Sequence, residues 1–307
     1  MIKTNRVYGI LAIGAYMANF NADLSGYPKT TTNNEIFGSD KALKYPMKRM
    51  WQLNGDPVLY IKSMKSAEDS EKIQPRDLNE RFTYLFGGLD EKTSSKEVLG
   101  KLFSAVDVMN FGATFAEKKQ NISITGAVQI NQGFNRYRDT SVFSQEILSP
   151  FRNSNEKSED KLASSMGSKI VADEAHYVYS FSVNPANYMD FIGIADNFEG
   201  YTVEAFEKFK WAARVATTAF NTNSKSGCEN ELALFIELKE NSRLFLANLD
   251  RYVTVQKNGN GVMYDLSRLA EILAPHHEEI QLVELYINTV TVEVEYGSLP
   301  CRVQSIY

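Results

Sequence analysis

Lys41, Lys44, Lys48 and Arg49 stand at i, i+3, i+7 and i+8. On a helix that spacing lays four cations along one face, a stripe suited to a phosphate backbone. A merely solvated helix face would show the same spacing. Gly126 to Arg138 reads GAVQINQGFNRYR. Its amides Gln129, Asn131, Gln132 and Asn135 can bond sugars and base edges, Phe134 and Tyr137 can stack on bases, and Arg136 adds a cation. An ordinary polar strand end and turn explains the run equally well. Asn221 to Gly227, NTNSKSG, places Asn221, Ser224 and Lys225 among small residues that let a backbone approach phosphate. It is also what a helix-terminating loop looks like, and it lacks the order of a Walker motif.

Acid–base and metal chemistry have little to work with. Only three histidines occur, and His276-His277 adjoin Glu278-Glu279 in what reads as a surface turn. Neighbouring side chains there point apart. His176, at a strand start, reads as a satisfied sheet residue. Cys228 and Cys301 are too few and too isolated for a disulfide framework or a zinc site. No Gly-x-Ser-x-Gly, His-Glu-x-x-His or Cys-x-x-Cys occurs. We therefore expect no catalytic residue, no metal and no cofactor.

The formal charge of −5 argues against a protein that grips nucleic acid over its whole surface, so a nucleic-acid site must be a local basic strip. No stretch approaches the roughly 20 consecutive apolar residues of a spanning helix, so no membrane partner is expected. The apolar opening is followed by Asn19-Phe20-Asn21 rather than a small-residue cleavage site, which predicts a cytoplasmic protein.

The elements that must carry these residues are legible from periodicity. Val7 to Met17 is nearly continuous apolar sequence, as in a strand buried on both faces. Ile122 to Ile130 and Tyr177 to Val183 alternate apolar with polar, and further strands are expected at Leu232 to Leu238 and Thr289 to Tyr296. Helices are expected from about Asp40 to Asn54, after the cap candidate Ser39, and from about Val203 to Phe220, capped by Thr202. Pro46 should kink the first or delay its start. Lys62 to Asp77 and Asn153 to Lys169 are polar and read as exposed excursions. This order suggests an α+β fold, a single RRM-like (ferredoxin-like) domain over 1–307 carrying insertions.

Several segments, in order, resemble the Cas7 family, which supplies the guide-RNA-binding backbone subunit of CRISPR Cascade, and particularly its Csh-type members from type I-B systems. Asn19-Phe20-Asn21-Ala22-Asp23 is similar to that family's Asn-Pro-Asn-Gly-Asp-Pro loop, with its prolines and glycine replaced. Ser39 to Lys44 with Lys48-Arg49 resembles the family's first, RNA-facing helix. Asp107 to Ala113, DVMNFGA, is similar to its Asp-Val-Arg-x-Phe-Gly-Ala segment, and Ser123 to Gln129, SITGAVQ, to its Ser-Ile-Thr-Gly-Pro-Val-Gln run. Phe181 to Pro185 resembles its Val-Asn-Pro strand end, and Asn221 to Gly227 sits where the family carries a basic loop.

The resemblance implies a modified RRM palm with a finger insertion at about 57–105 and a thumb at about 136–175 that includes Met166 and Lys169. It implies RNA contacts from Asn19, Asn21, Lys41, Lys44, Lys48, Arg49, Gly126, Gln129, Asn131, Gln132, Arg136, Asn221, Ser224 and Lys225. The implied partners are the guide RNA (crRNA), the target DNA strand, further copies of the chain and other Cascade subunits. The implied role is structural rather than enzymatic. The main rival is a metal-dependent endoribonuclease of the related type III backbone family, with Asp23 or Asp40 as catalyst. A third reading is an assembly protein that binds no nucleic acid.

Overall fold

The computed structural model of the chain describes residues 1–67, 72–90, 92–152 and 164–307. The strand Val7–Ala18 lies inside the main sheet, antiparallel to Ser164–Val183 on one side and to Cys228–Leu238 on the other. Ile280–Ile287 extends the sheet beyond Cys228–Leu238, and Arg302–Ser305 pairs with it in parallel. Towards the opposite edge, Val128–Ile130, Gly133–Asn135 and Val142–Arg152 pair with successive stretches of the long strand, and Phe37–Gly38 adds to Gly133–Asn135.

The apolar run at the start is continuous because both faces of its strand are covered. Side chains alternate across a strand, so Val7, Leu11, Ile13 and Ala15 enter one core while Tyr8, Ile10 and Ala12 enter another. The first core is capped by the helices Asp40–Leu53 and Val203–Ala219, which bury Leu43, Met47 and Trp51 against Phe206, Phe209 and Ala213. Each large side chain so buried contributes about 1.5–3 kcal/mol. Trp51 Nε1 also donates to the Lys208 carbonyl at 3.1 Å, which fixes the two helices in register. The second core lies under the helix Ser267–Leu273 and a small sheet of Thr254–Asn258, Gly261–Asp265 and Val292–Glu295.

Both helices start where their caps predict. Ser39 Oγ accepts from Ala42 N at 3.2 Å, and Thr202 Oγ1 accepts from Ala205 N at 3.1 Å. Pro46 does not delay the first helix, which begins at Asp40 with the proline buried inside it.

Other expectations need correction. The alternating run from Ile122 is two strands: Ile122–Thr125 pairs with Gly112–Phe115, and only Val128–Ile130 joins the main sheet. Gly126 makes the break, because a Cβ there would stand 2.2 Å from the Phe111 carbonyl carbon. The strand expected over Thr289 to Tyr296 is the short Val292–Glu295 of the small sheet. The main-sheet strand near that end is Ile280–Ile287, whose mixed residues IQLVELYI show no clean alternation.

The excursion from Lys62 contains the hairpin Met64–Ser66 with Ile73–Pro75, then a helix, Leu78–Phe86, started by an Asp77–Glu80 capping box. Residues 68–71 lie outside the described residues. The second excursion is an antiparallel ribbon of Val142–Arg152 against residues 164–172, extending the long strand past its pairing with Val7–Ala18. Met166 and Lys169 lie in this ribbon, opposite Leu148 and Gln145. The expected excursion over 153–163 lies outside the described residues. Cys228 is buried, Cys301 half-buried, and both are free thiols.

Candidate nucleic-acid interface

The helix Asp40–Leu53 forms one wall of a groove of about 630 Å³ that is lined by Lys41, Lys44 and Lys48, with Tyr45, Tyr60 and Phe111. Arg49 does not line it and donates instead to Gln52 Oε1. At about 100° per residue, Lys41, Lys44 and Lys48 fall within roughly 60° of arc, while Arg49 stands about 80° beyond it. Three of the four predicted cations therefore converge.

Their charges are unequally free. Lys41 is exposed and makes no ion pair among the described residues. Lys44 Nζ lies 3.0 Å from Asp40 Oδ2 and 5.0 Å from the centre of the Phe111 ring. Lys48 Nζ is 3.4 Å from Oδ2 of the fully buried Asp107 and 5.5 Å from the Tyr60 ring centre. Burial pushes the Lys48 ammonium below the usual lysine range, and Asp107 works against that fall. Asp107 itself accepts from Leu59 N and Tyr60 N, both at 2.8 Å, so Lys48 answers a structural carboxylate. Tyr60, pushed up to about 12 by burial and by Asp107, stays a neutral phenol.

Around the groove the structure gathers other predicted residues. Gln132 is exposed, with Nε2 3.5 Å from Asp40 Oδ1, at the head of the helix. Asn21 Oδ1 accepts from Ser39 N at 2.7 Å and so ties the loop after the first strand to the same helix start. Asn19 is buried; its Nδ2 donates to the Gly26 and Ile170 carbonyls at 2.8 and 3.2 Å. Its Oδ1 has no partner among the described residues. The Asn19 amide donates to Ser224 O at 3.3 Å, and Lys225 Nζ lies 4.1 Å from the Phe20 ring centre. Burial lowers the Lys225 ammonium to about 8. The exposed Asn221 and Ser224 share that loop.

The remaining predicted residues are less available. Gln129 Nε2 donates to the Gly126 carbonyl at 2.8 Å, and Gly126 is buried against Phe111 and Gly112. Asn131 Nδ2 donates to Asp250 Oδ1 at 3.0 Å, and Arg136 Nη2 to Asp250 Oδ2 at 2.7 Å. Sequence reading gave Asp250 no role, since it lies more than a hundred residues away. Tyr45, Tyr60 and Phe111 were likewise missed as parts of the groove, as was the buried Asp107 that answers Lys48. Two signals were available: Tyr45 within the basic helix, and the family-like segment Asp107 to Ala113, which holds Asp107 and Phe111. Of the two acids considered for catalysis, Asp23 Oδ1 accepts from Ser25 N and Tyr27 N at 2.8 and 3.0 Å and closes a turn. Asp40 answers Lys44.

Sequence reading placed His176 correctly as a satisfied sheet residue but not the network that satisfies it. His176 Nδ1 is 2.7 Å from Glu231 Oε2, and Nε2 is 3.2 Å from Glu174 Oε1. Tyr16 donates to Glu231 Oε1 at 2.7 Å, Tyr264 to Oε2 at 2.5 Å, and Lys257 reaches both Glu174 oxygens at 2.8 Å. Gly14 makes room, because a Cβ there would meet the Glu231 carboxylate at 2.4 Å. His276 and His277 lie in the exposed turn Ala274–Glu279. Among the described residues no group of three or more His, Cys, Asp or Glu is placed to hold a metal ion, and no helix is long and apolar enough to cross a membrane.

The family model described as CRISPR-associated protein Cas7 matches residues 5–271. Among 127 matching solved chains is one from a "CRISPR RNA-guided surveillance complex, pre-nicking". It superposes with a TM-score of 0.58 at 13% identity, covering 98% of this chain and 96% of that one, a likeness of fold. No curated protein matches the chain.

Proposed function

The chain belongs to the CRISPR-associated Cas7 family, and from that premise we propose that it is a guide-RNA-binding backbone subunit of a surveillance complex. The observation that carries this reading is the lysine groove: Lys41, Lys44 and Lys48 gathered over Tyr45, Tyr60 and Phe111, with Gln132 at the helix head.

Lys41 and Lys44 hold phosphates, the rings pack against sugars or bases, and Gln132 and Asn221 supply amides. None of these groups forms a fixed pattern against one base edge, so the grip is independent of sequence and specificity comes from base pairing. On an acidic chain RNA is held by local basic grooves and not by the surface at large. The strand order, Cys228–Leu238, Val7–Ala18, Ser164–Val183 and then the edge strands, supports an RRM-like palm. Residues 57–105 are the fingers, and 136–175, including the ribbon with Met166 and Lys169, are the thumb. The segment resemblances favour a type I-B complex in the cytoplasm. There, copies of the chain follow one another along the guide beside other Cascade subunits and present it to target DNA. The subunit is structural and performs no cleavage.

Filter binding of the purified chain to generic single-stranded RNA over a salt series tests this, with Lys41→Ala/Lys44→Ala alongside. Lys48 is left intact because removing it would strand the buried Asp107. The wild type binds with an affinity that falls with salt, and the variant loses affinity and about 1.4 from the salt slope, roughly 0.7 per phosphate contact. No binding by the wild type at low salt, with partner subunits present, sinks the proposal.

A further inference from the structure

A second groove, of about 770 Å³, runs between Asn34–Ile36, the chain leaving Asn135, and the segment from Arg251 to Gln256. Three arginines line it, Arg136, Arg138 and Arg251, and Glu35 is the one carboxylate among its lining residues. The three differ in what they have left to offer. Arg136 is answered by Asp250 at 2.7 Å. Arg138 and Arg251 are exposed and make no ion pair or side-chain hydrogen bond among the described residues. Guanidinium groups without a carboxylate in a concave polar site favour an anion, and their planar fork matches phosphate oxygens two at a time.

The position of this groove says which anion. Gln132 stands at the head of the lysine groove, and the strand Gly133–Asn135 leads from it to Arg136 and Arg138. At about 3.3 Å per residue, the four steps from Gln132 to Arg136 span roughly 13 Å. That length exceeds a single phosphate group, so the two grooves can hold different phosphates of one strand. Half-buried Phe134 lies on that connecting strand, with the Arg136 guanidinium 5.9 Å from its ring centre. A single small anion would need neither that length nor two grooves joined by one strand.

We infer that the arginine groove is a second phosphodiester-binding site, anchored by Arg138 and Arg251, that takes a nucleic-acid backbone passing beyond the lysine groove. This rests on the RNA-binding reading above. The phosphodiester has two possible sources, the RNA strand continued past the lysines or the strand paired to it.

The test compares wild type with Arg138→Gln/Arg251→Gln by filter binding over a salt series, on single-stranded RNA and on the same RNA paired to complementary DNA. Both arginines are exposed, so the variant should melt with the wild type. The expected result is an affinity lowered about ten-fold, with a shallower salt slope, on at least one substrate. Loss on both assigns the groove to the RNA strand, and loss on the heteroduplex alone assigns it to the paired strand. Unchanged affinity and slope on both, while Lys41→Ala/Lys44→Ala weakens binding, overturns the inference and leaves the RNA-binding reading standing. A wild type that binds neither substrate overturns both.

Discussion

In the groove along Asp40–Leu53, ammonium groups reach solvent beside Tyr45 and Phe111, whereas His176, Glu231, Tyr16 and Tyr264 close on one another within the fold. Both regions pair charge with aromatic rings. In the groove the pairing is incomplete: Lys41 has no ion-pair partner among the described residues, and Lys44 shares one half-exposed carboxylate. In the buried network each Glu231 oxygen is bonded and both nitrogens of His176 face carboxylates. Charge with unused bonding capacity at the surface can take a ligand. Charge whose bonds are all made inside holds strands together, here the main sheet to the small sheet that carries Tyr264 and Lys257.

The harshest way to break that contrast is Glu231→Gln. Removing one partner of a buried ion pair costs about 3–5 kcal/mol, a fall in melting temperature of roughly 10 °C. The protein that remains folded should bind RNA as the wild type does. A melting temperature within 1–2 °C of wild type (about the scatter expected of a surface change) would show that the network is not structural.

A smaller effect is expected from pH. Burial alone would push the His176 imidazole down, but hydrogen bonds and charge from Glu231 and Glu174 outweigh it and leave the pKa raised above 6.5. Two carboxylates on two ring nitrogens call for both N–H groups. A raised folded-state pKa contributes stability that is complete below 6.5 and is lost as pH climbs through the folded value. Thermal melts should therefore show stability falling as pH rises from 6.5, with the dependence flattened in His176→Gln. Stability that rose over that interval in the wild type alone would contradict the assignment.

The smallest change sharpens the groove side. Asp40→Asn removes the counter-charge from Lys44, a half-buried i,i+4 ion pair at the surface worth about 0.3–1 kcal/mol. RNA affinity should rise about two- to five-fold, with stability nearly unchanged. A fall in affinity would place Asp40 among the contacts and not among their competitors.

Much of this was legible in the chain. The first strand, both main helices and the caps Ser39 and Thr202 follow from apolar period and side-chain hydrogen bonding, which act over a few residues. The basic stripe was legible too, except that i+8 was counted as the same face as i, which the helical angle denies to Arg49. Ile280–Ile287 was missed because Gln281, Glu284 and Tyr286 interrupt any two-residue period, and its place is fixed by pairing with Cys228–Leu238.

The sequence by itself determined the first strand, the two main helices with their caps, the basic stripe on the first of them, and which residues carry the family's pattern. Those properties are set by neighbours in the chain. Tertiary structure alone decided which charges are left over: Arg136 and Asn131 fall to Asp250, Lys48 to Asp107, and His176 to Glu231 and Glu174, while Lys41, Arg138 and Arg251 make no ion pair among the described residues. Each of those partners, except Glu174, is separated by some fifty residues or more from the group it satisfies. The pairing is therefore a matter of sheet register and packing, which no local spacing encodes.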